Sequence, residues 1–365
     1  MKFIFASYVV SHEFKDPETW LYRIRAYTGM LESLSINNEV ISIEQIDHEG
    51  EYSKNGVKYR FLRSSHLGRY FPQKLHRFIQ SQQPDVVIVH GLHYPLQVMQ
   101  LRGALGKKVK IIAQNHSEKP FTGIRKYIQR LAGNAIDAYL FPAHGTGMDW
   151  VKKGNIADAA KIHEVMEVSS VFYPIERSIA IKKTAVTGSQ VFLCVMRFSP
   201  TKDPLTVVKA FLEYAALKPG ARLYIIHHTN ELLPQVQQTL AGSLQKKAIV
   251  LVGKVPHDEL LYWYNSADFF ISGSHYEGTN ASLCEAMSCG CVPLVTDIAP
   301  FRSMTDDGRC GILYEAGNYH ALLTALNETP QMNLQQKRQA TLNYFETNLS
   351  FEAIAGRINE IAAAL

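Results

Sequence analysis

The sequence predicts an α/β protein made of two doubly wound domains, each a mostly parallel sheet covered by helices. Three observations carry this. Short runs rich in Val and Ile recur without polar alternation, as strands buried on both faces require. Stretches of helical periodicity separate those runs. The length of 365 residues, 46% of them hydrophobic, suits two cores of ordinary size.

The elements follow in order. MKFIFASYVVSH holds one lysine and an apolar run that breaks at Ser7, so it reads as a first buried strand. It is too short for a membrane span and lacks a small-residue cleavage pattern. Asp16-Pro17-Glu18 is a helix start, with a capping acid followed by a proline at the first helical position. Trp20, Ile24, Tyr27, Leu31 and Leu34 then form one stripe, read as core packing. Further strands are expected at 86–90, 110–114, 138–141, 191–195, 223–226, 249–252, 269–272 and 292–295. Between Tyr173 and Ser189 the pattern lapses into mixed charge without a period, which makes this stretch the expected joint. The domains are therefore drawn as 1–175 and 188–345. Ser350 opens a last helix, 350–365, with a stripe at Phe351, Ile354, Ile358, Ile361 and Leu365; it could pack back on the first domain or stay with the second.

Cys194, Cys284, Cys289, Cys291 and Cys310 are odd in number and contain no CxxC pair. Their spacings fit no common zinc pattern, and small core residues with reduced thiols are expected in a cytoplasmic protein without an export signal. Charge is unevenly spread. The whole chain carries +5, yet residues 52–136 hold fifteen lysines and arginines, Arg69 and Arg125 among them, against only Asp85 and Glu118. Tyr59, Phe61, Tyr70, Phe71 and Phe78 are interleaved with these cations. This segment is read either as a solvated basic face or as a surface for an anionic membrane or anionic acceptor, which would place the protein peripherally at the inner membrane face. No nucleic-acid motif is present, so nucleic acid is not an expected partner.

The chemistry concentrates in FFISGSHYEGTNASLCEAMSCG, a buried strand, a polar turn and a helix ended by Gly290. Thr279 or Asn280 lies at the helix start, where free N–H groups and the positive dipole end would seat a phosphate. Glu277 projects from the loop and Glu285 from the helix. Carboxylates do not grip an anion, so these two would accept hydrogen bonds from the neutral hydroxyls flanking a diphosphate. VMRFSPTKDP places Arg197 at a strand end and Lys202 at the next helix start, both able to reach that diphosphate.

These residues resemble retaining glycosyltransferase family 4, the GT-B group marked by an E-x7-E motif. Glu277 and Glu285 match the motif, AMSCGCVPLVTD continues it, Arg197 and Lys202 match the R-x4-K pair, and VGKVPHDELLYWYNSADFFISGS matches the segment leading in. The likeness is close over residues 190–330 and loose over the first domain. It implies a GT-B fold with an acceptor-side first domain and a donor-binding second domain, facing a central cleft. It also implies a UDP- or GDP-linked sugar donor and a glycan, lipid-linked or small-molecule acceptor. Arg197 and Lys202 would neutralise the leaving diphosphate. Gly278, Thr279 and Asn280 would hold phosphate and sugar through their amides. Glu277 would touch the transferred sugar and Glu285 the ribose, with the base near Gly253, Lys254 and Val255. His116 stands where the family has a sugar-contacting histidine, with His90 and His93 as rivals. No cofactor and no metal are implied; there is no D-x-D triplet, and Asp306-Asp307 reads as a solvated turn. Departures from the family pattern are the absence of paired glycines in ASYVVSHEF, Met196 in place of a glycine, and EGTN in place of a second glycine and an aromatic. They leave the acceptor open. The rival readings are a nucleotide-sugar epimerase, a glycan phosphorylase with a lysine-bound pyridoxal group, and an inactive binding protein.

Overall fold

The computed structural model describes residues 1–63 and 70–365, so Arg69 of the basic segment lies outside the described residues. The chain divides into two compact units, Met1–Ser169 with Phe351–Leu365, and Ser170–Ser350.

The first unit holds an eight-stranded sheet: β1 (Lys2–Ser7), β2 (Glu39–Glu44), β3 (Gly50–Lys54), β4 (Val57–Phe61), β5 (Val86–His90), β6 (Lys110–Gln114), β7 (Ala138–Phe141) and β8 (Ile162–Glu164). Their order is β3-β4-β2-β1-β5-β6-β7-β8. All neighbours are parallel except β3 and β4, an antiparallel hairpin turned at Asn55-Gly56. Phe3, Ile4, Phe5 and Ala6 are wholly buried, because helices cover both faces of the strand they form. Chain order reverses between β1 and β5, and at such a reversal a doubly wound sheet opens a crevice beyond its carboxyl ends.

The stripe that began at Trp20 is two helices, Pro17–Arg23 and Arg25–Ser35, joined at Ile24. Tyr27, Leu31 and Leu34 enter the core as expected. Trp20 and Ile24 do not: they stay half-buried and line a cavity described below. The last helix, Phe351–Ala364, packs on Arg25–Ser35, where Gly29 leaves room for the Phe351 ring; a Cβ there would stand 2.6 Å from it.

The second unit holds β9 (Gln190–Met196), β10 (Ala221–His227), β11 (Ile249–Gly253), β12 (Phe269–Ser272), β13 (Val292–Thr296) and β14 (Ile312–Tyr314). Their order is β11-β10-β9-β12-β13-β14, all parallel. Here the reversal falls between β9 and β12. Their pairing ends at Leu193 and Phe270, short of both carboxyl ends, so the strands part where the crevice opens. Residues 173–189, expected as the joint, instead hold the helix Arg177–Thr184. It belongs to the second unit because Arg177 is tied to the buried Asp268. Of this mixed charge, Arg177 does the anchoring, while Lys182 and Lys183 stay exposed.

The basic segment is weaker than its count. Lys58, Arg60, Arg63, Lys74 and Arg102 pair with Glu39, Glu51, Asp47, Glu49 and Asp137, carboxylates that lie outside 52–136 in sequence. Tyr59 and Phe61 are core residues, so no lipid reaches them, whereas Tyr70 and Phe71 are exposed. One helix keeps the expected character. Ile124–Ala132 buries Gln129 and Ala132 on one side, while Ile124, Tyr127 and Leu131 stand 76%, 62% and 61% exposed. That outward face is apolar where a water-facing helix is normally polar. Its charged residues are Arg125, Lys126 and Arg130, with no acid on the helix. No described helix is long and apolar enough to cross a membrane.

Candidate functional site

At the β9/β12 reversal the chain joins residues far apart in sequence. After β9 comes Arg197, then a short 3-10 turn, Pro200–Lys202, leading into the helix Pro204–Leu217. Asp203 caps that helix by accepting from Thr206 N at 3.2 Å, in a left-handed conformation at φ 45° that a residue with a Cβ adopts only under constraint. The constraint comes from the loop after β12. Gly273 packs so tightly on this turn that a Cβ would lie 3.0 Å from Asp203 O, and His275 N donates to Thr201 O at 2.9 Å.

This contact brings Lys202 Nζ against Glu277 Oε1 in an ion pair. The same oxygen accepts from Asn280 Nδ2 at 2.8 Å, while Asn280 Oδ1 caps the helix Ala281–Ser288 by accepting from Leu283 N at 2.8 Å. Glu277 is buried, so it is no surface acid, and its Oε2 has no partner among the described residues. Among the described residues no backbone acceptor meets the N–H groups of Gly278, Thr279, Asn280 or Ala281, and Thr279 Oγ1 is buried without a hydrogen-bond partner. Open donors at a helix start beside a lysine form an anion seat. Arg197 is exposed and pairs with no carboxylate among the described residues, so its charge is uncommitted.

Glu285 is also buried, and both of its oxygens are engaged: Oε1 lies 2.7 Å from His257 Nε2, and Oε2 accepts from Tyr264 OH at 2.9 Å. His257 stacks on Phe172 and anchors the turn that follows Gly253, Lys254 and Val255 to the helix bearing Glu285. Gly253 has φ 83° and open space around it, and Val255 is half-buried. His257 and Tyr264 were not singled out from the sequence, although both lie in the VGKVPHDELLYWYNSADFF segment.

His116 lies in the first unit, just past β6. Its Nδ1 stands 2.8 Å from Glu167 Oε2, and its Nε2 stands 2.8 Å from His90 Nδ1. His90 Nε2 in turn meets Tyr27 OH at 2.8 Å. Burial opposes charge on His116, but the carboxylates of Glu167 and Glu118 outweigh it and raise its pKa. Burial, with the neighbouring His116, lowers that of His90. These opposite shifts make His116 the better donor of the pair and His90 the better acceptor. The two were expected as rivals, yet they are one array. His93 lies beside them, stacked on Phe121 and 2.8 Å from Lys119 O. Glu167 and Glu44, which shares this wall, carried no sequence signal, and Tyr27 was legible only as core packing.

The family model for glycosyl transferases group 1 matches residues 176–344. That stretch belongs to the group 1 glycosyltransferases. The match covers both ends of the site: the Arg197 and Lys202 turn and the Glu277 to Glu285 helix. Over 179 residues the chain is 26% identical to an alpha-monoglucosyldiacylglycerol synthase of Streptococcus pneumoniae, covering 47% of this chain and 38% of that protein. Over 200 residues it is 24% identical to a GDP-mannose:cellobiosyl-diphosphopolyprenol alpha-mannosyltransferase of Xanthomonas campestris, covering 52% of each. The chain thus spans about half or less of the length of these curated relatives. Among solved structures, a glycosyltransferase of Rickettsia africae superposes with TM-score 0.75 at 15% identity, over 99% of this chain and 97% of that one. HepE of Anabaena in complex with UDP gives TM-score 0.75 at 12% identity over all of both chains. The fold is GT-B.

Proposed function

We propose that the chain moves a sugar from a nucleoside-diphosphate donor to a glycan, lipid-linked or small-molecule acceptor, with retention of anomeric configuration and without a metal ion. The observation that carries this reading is the Lys202–Glu277 pair at the β9/β12 crevice, beside an uncommitted Arg197 and an open helix start. Arg197 and the two remaining N–H donors of Lys202 neutralise the departing diphosphate, each charge-assisted bond contributing about 1.5–3 kcal/mol. Negative charge grows on the leaving oxygen as the bond to the sugar breaks, so these donors act most strongly in the transition state. Gly278, Thr279 and Asn280 offer amides to phosphate and sugar, and Glu277 Oε2 accepts from a hydroxyl of the transferred sugar. The departing phosphate oxygen takes the acceptor's proton, so no separate base is needed. Glu285 receives the ribose and the base lies along Gly253 to Val255, while His116 keeps the sugar-contacting role that the family resemblance implies.

A UDP- or GDP-linked donor is favoured by the UDP bound to HepE and by the GDP-mannose in the name of the Xanthomonas relative. The epimerase reading is not adopted, because the named relatives are a synthase and a transferase. The test is incubation with a panel of UDP- and GDP-sugars in EDTA, scoring nucleoside diphosphate by mass and product configuration by NMR. Release in EDTA with retention is expected. No release from any donor overturns the transferase; rescue only by magnesium or manganese overturns metal independence.

The two acids should separate kinetically. Glu285→Gln is expected to raise the donor KM with turnover little changed, since ribose hydroxyls are the same in ground and transition states, whereas Glu277→Gln should lower turnover. Equal loss of turnover with unchanged KM in both would contradict the division.

We also read the chain as a cytoplasmic enzyme that docks peripherally on anionic lipid through the helix Ile124–Ala132. Its apolar outward face would enter the headgroup layer, and Arg125, Lys126 and Arg130 would contribute about 1 kcal/mol each near the surface. Co-sedimentation with anionic vesicles at low salt should be lost at high salt and in a triple Ser variant of Ile124, Tyr127 and Leu131. Equal binding to neutral vesicles would remove the idea.

A further inference from the structure

A cavity of about 470 Å³ opens in the first unit at the carboxyl ends of β1 and β5, between Ser7 and His90. Its size falls within the range of small-molecule sites, about 300–1,000 Å³. Its chemistry contradicts the basic composition of the surrounding chain. Three carboxylates line it, those of Glu44, Glu118 and Glu167, and no lysine or arginine is among its described lining residues. Trp20, Tyr27 and Tyr94 add aromatic rings to the wall.

We propose that this cavity takes the ring of an uncharged, polyhydroxylated acceptor and excludes acceptors bearing phosphate or carboxylate at that ring. The proposal rests on the transferase reading and names its acceptor class. Sugar hydroxyls are donors, and buried carboxylates and imidazoles are the acceptors they require, while C–H faces of a sugar lie well on aromatic rings. Trp20 is held for this: its Nε1 donates to Glu44 Oε2 at 3.0 Å, so the indole is fixed at the rim. Glu44 is in turn held by Ser42 Oγ at 2.7 Å, and burial raises its pKa. Glu118 is rigid too, accepting from Leu92 N, Asn115 Nδ2 and His116 N at 2.7–2.9 Å.

An anionic group finds no counter-charge here. Of the imidazoles at the wall, His116 has its pKa raised, and Glu167 Oε2 already stands 2.8 Å from its Nδ1 to meet that charge. His90 is kept neutral by burial and by His116. A phosphate would lose its water and face carboxylates, the arrangement by which sites reject a wrong ligand. The described cations of residues 52–136 are not among the lining residues of the cavity.

The test uses the full chain saturated with UDP. Methyl glycosides of glucose, galactose and mannose are compared with their 6-phosphates and with the matching uronic acids, by ligand-observed NMR and as acceptors with whichever donor is cleaved. At least one neutral glycoside should bind, and its charged counterparts should bind at least about tenfold more weakly at low salt. Trp20→Ala should abolish neutral binding while amide protection along β1 and β5 stays as in the parent. A 6-phosphate or uronate binding as well as the neutral sugar overturns the proposal, as does binding of none of the sugars. The two readings fail separately. Donor cleavage with a preferred anionic acceptor would sink only this proposal, and glycoside binding without cleavage of any donor would sink only the transferase.

Discussion

Replacing Lys202 by alanine is expected to lower turnover about 10²-fold or more, and Arg197→Ala to do the same. The two losses should differ in what accompanies them. Lys202 is mostly buried and neutralises Glu277, so its removal leaves a buried carboxylate with only Asn280 Nδ2 as partner. An uncompensated buried charge is costly, so Lys202→Ala should also lower stability. Arg197 is exposed and unpaired, and stability in Arg197→Ala should stay within about 0.5 kcal/mol of the parent. That makes Arg197 the cleaner probe of chemistry. The double variant Lys202→Met with Glu277→Gln removes both charges together; it should recover the stability that Lys202→Ala loses, and not the turnover. Near-native turnover in both single variants with saturating donor would show that the diphosphate does not meet this crevice.

The parts of the molecule legible in sequence were those set by local pattern. Short apolar runs marked β5, β6, β7 and β9 to β13, because a strand covered on both faces has no polar alternation to lose. The Asn280 cap was legible because it is made within three residues, and Arg197, Lys202, Glu277 and Glu285 because they stand at fixed spacings. What stayed hidden depends on partners brought from elsewhere. Glu167 has meaning only beside His116, and Glu44 only beneath Trp20. Five cations of the basic segment are neutralised by acids from other strands and loops, which no count along the chain can show. The hairpin of β3 and β4 was different: Asn55-Gly56 between alternating residues was a legible turn signal that was not used. The expected joint failed for the opposite reason, since Arg177 looks like any surface cation until Asp268 is placed beside it.

That aspartate carries the largest stability effect expected. Asp268 is 3% exposed and stands just before β12. Its Oδ2 accepts from Val191 N at 2.8 Å, and its Oδ1 accepts from Arg177 Nη1 and, at 3.0 Å, from Arg338 Nη2. One carboxylate therefore fastens β9, the helix Arg177–Thr184 and the helix Leu334–Tyr344 to the strand that leads to Glu277. Asp268→Ala takes the carboxylate from Arg177 and Arg338, of which Arg338 keeps Ala267 O at 2.6 Å, and leaves Val191 N–H without its acceptor, and is expected to cost about 3 kcal/mol. Asp268→Asn keeps one oxygen acceptor but sets an amide against donors on the other side, so it should lose a substantial part of the same amount. Two units need not unfold together, so the loss should be read by urea unfolding combined with amide exchange along Gln190–Met196, where only the second unit reports. Exchange there should rise steeply while β1 and β5 keep their protection. Turnover measured well below the unfolding transition should stay near the parent's, because Asp268 touches no residue assigned to the donor. A loss below about 1 kcal/mol in Asp268→Ala would mean that the arginines find other partners, and that the anchoring of the second unit lies elsewhere.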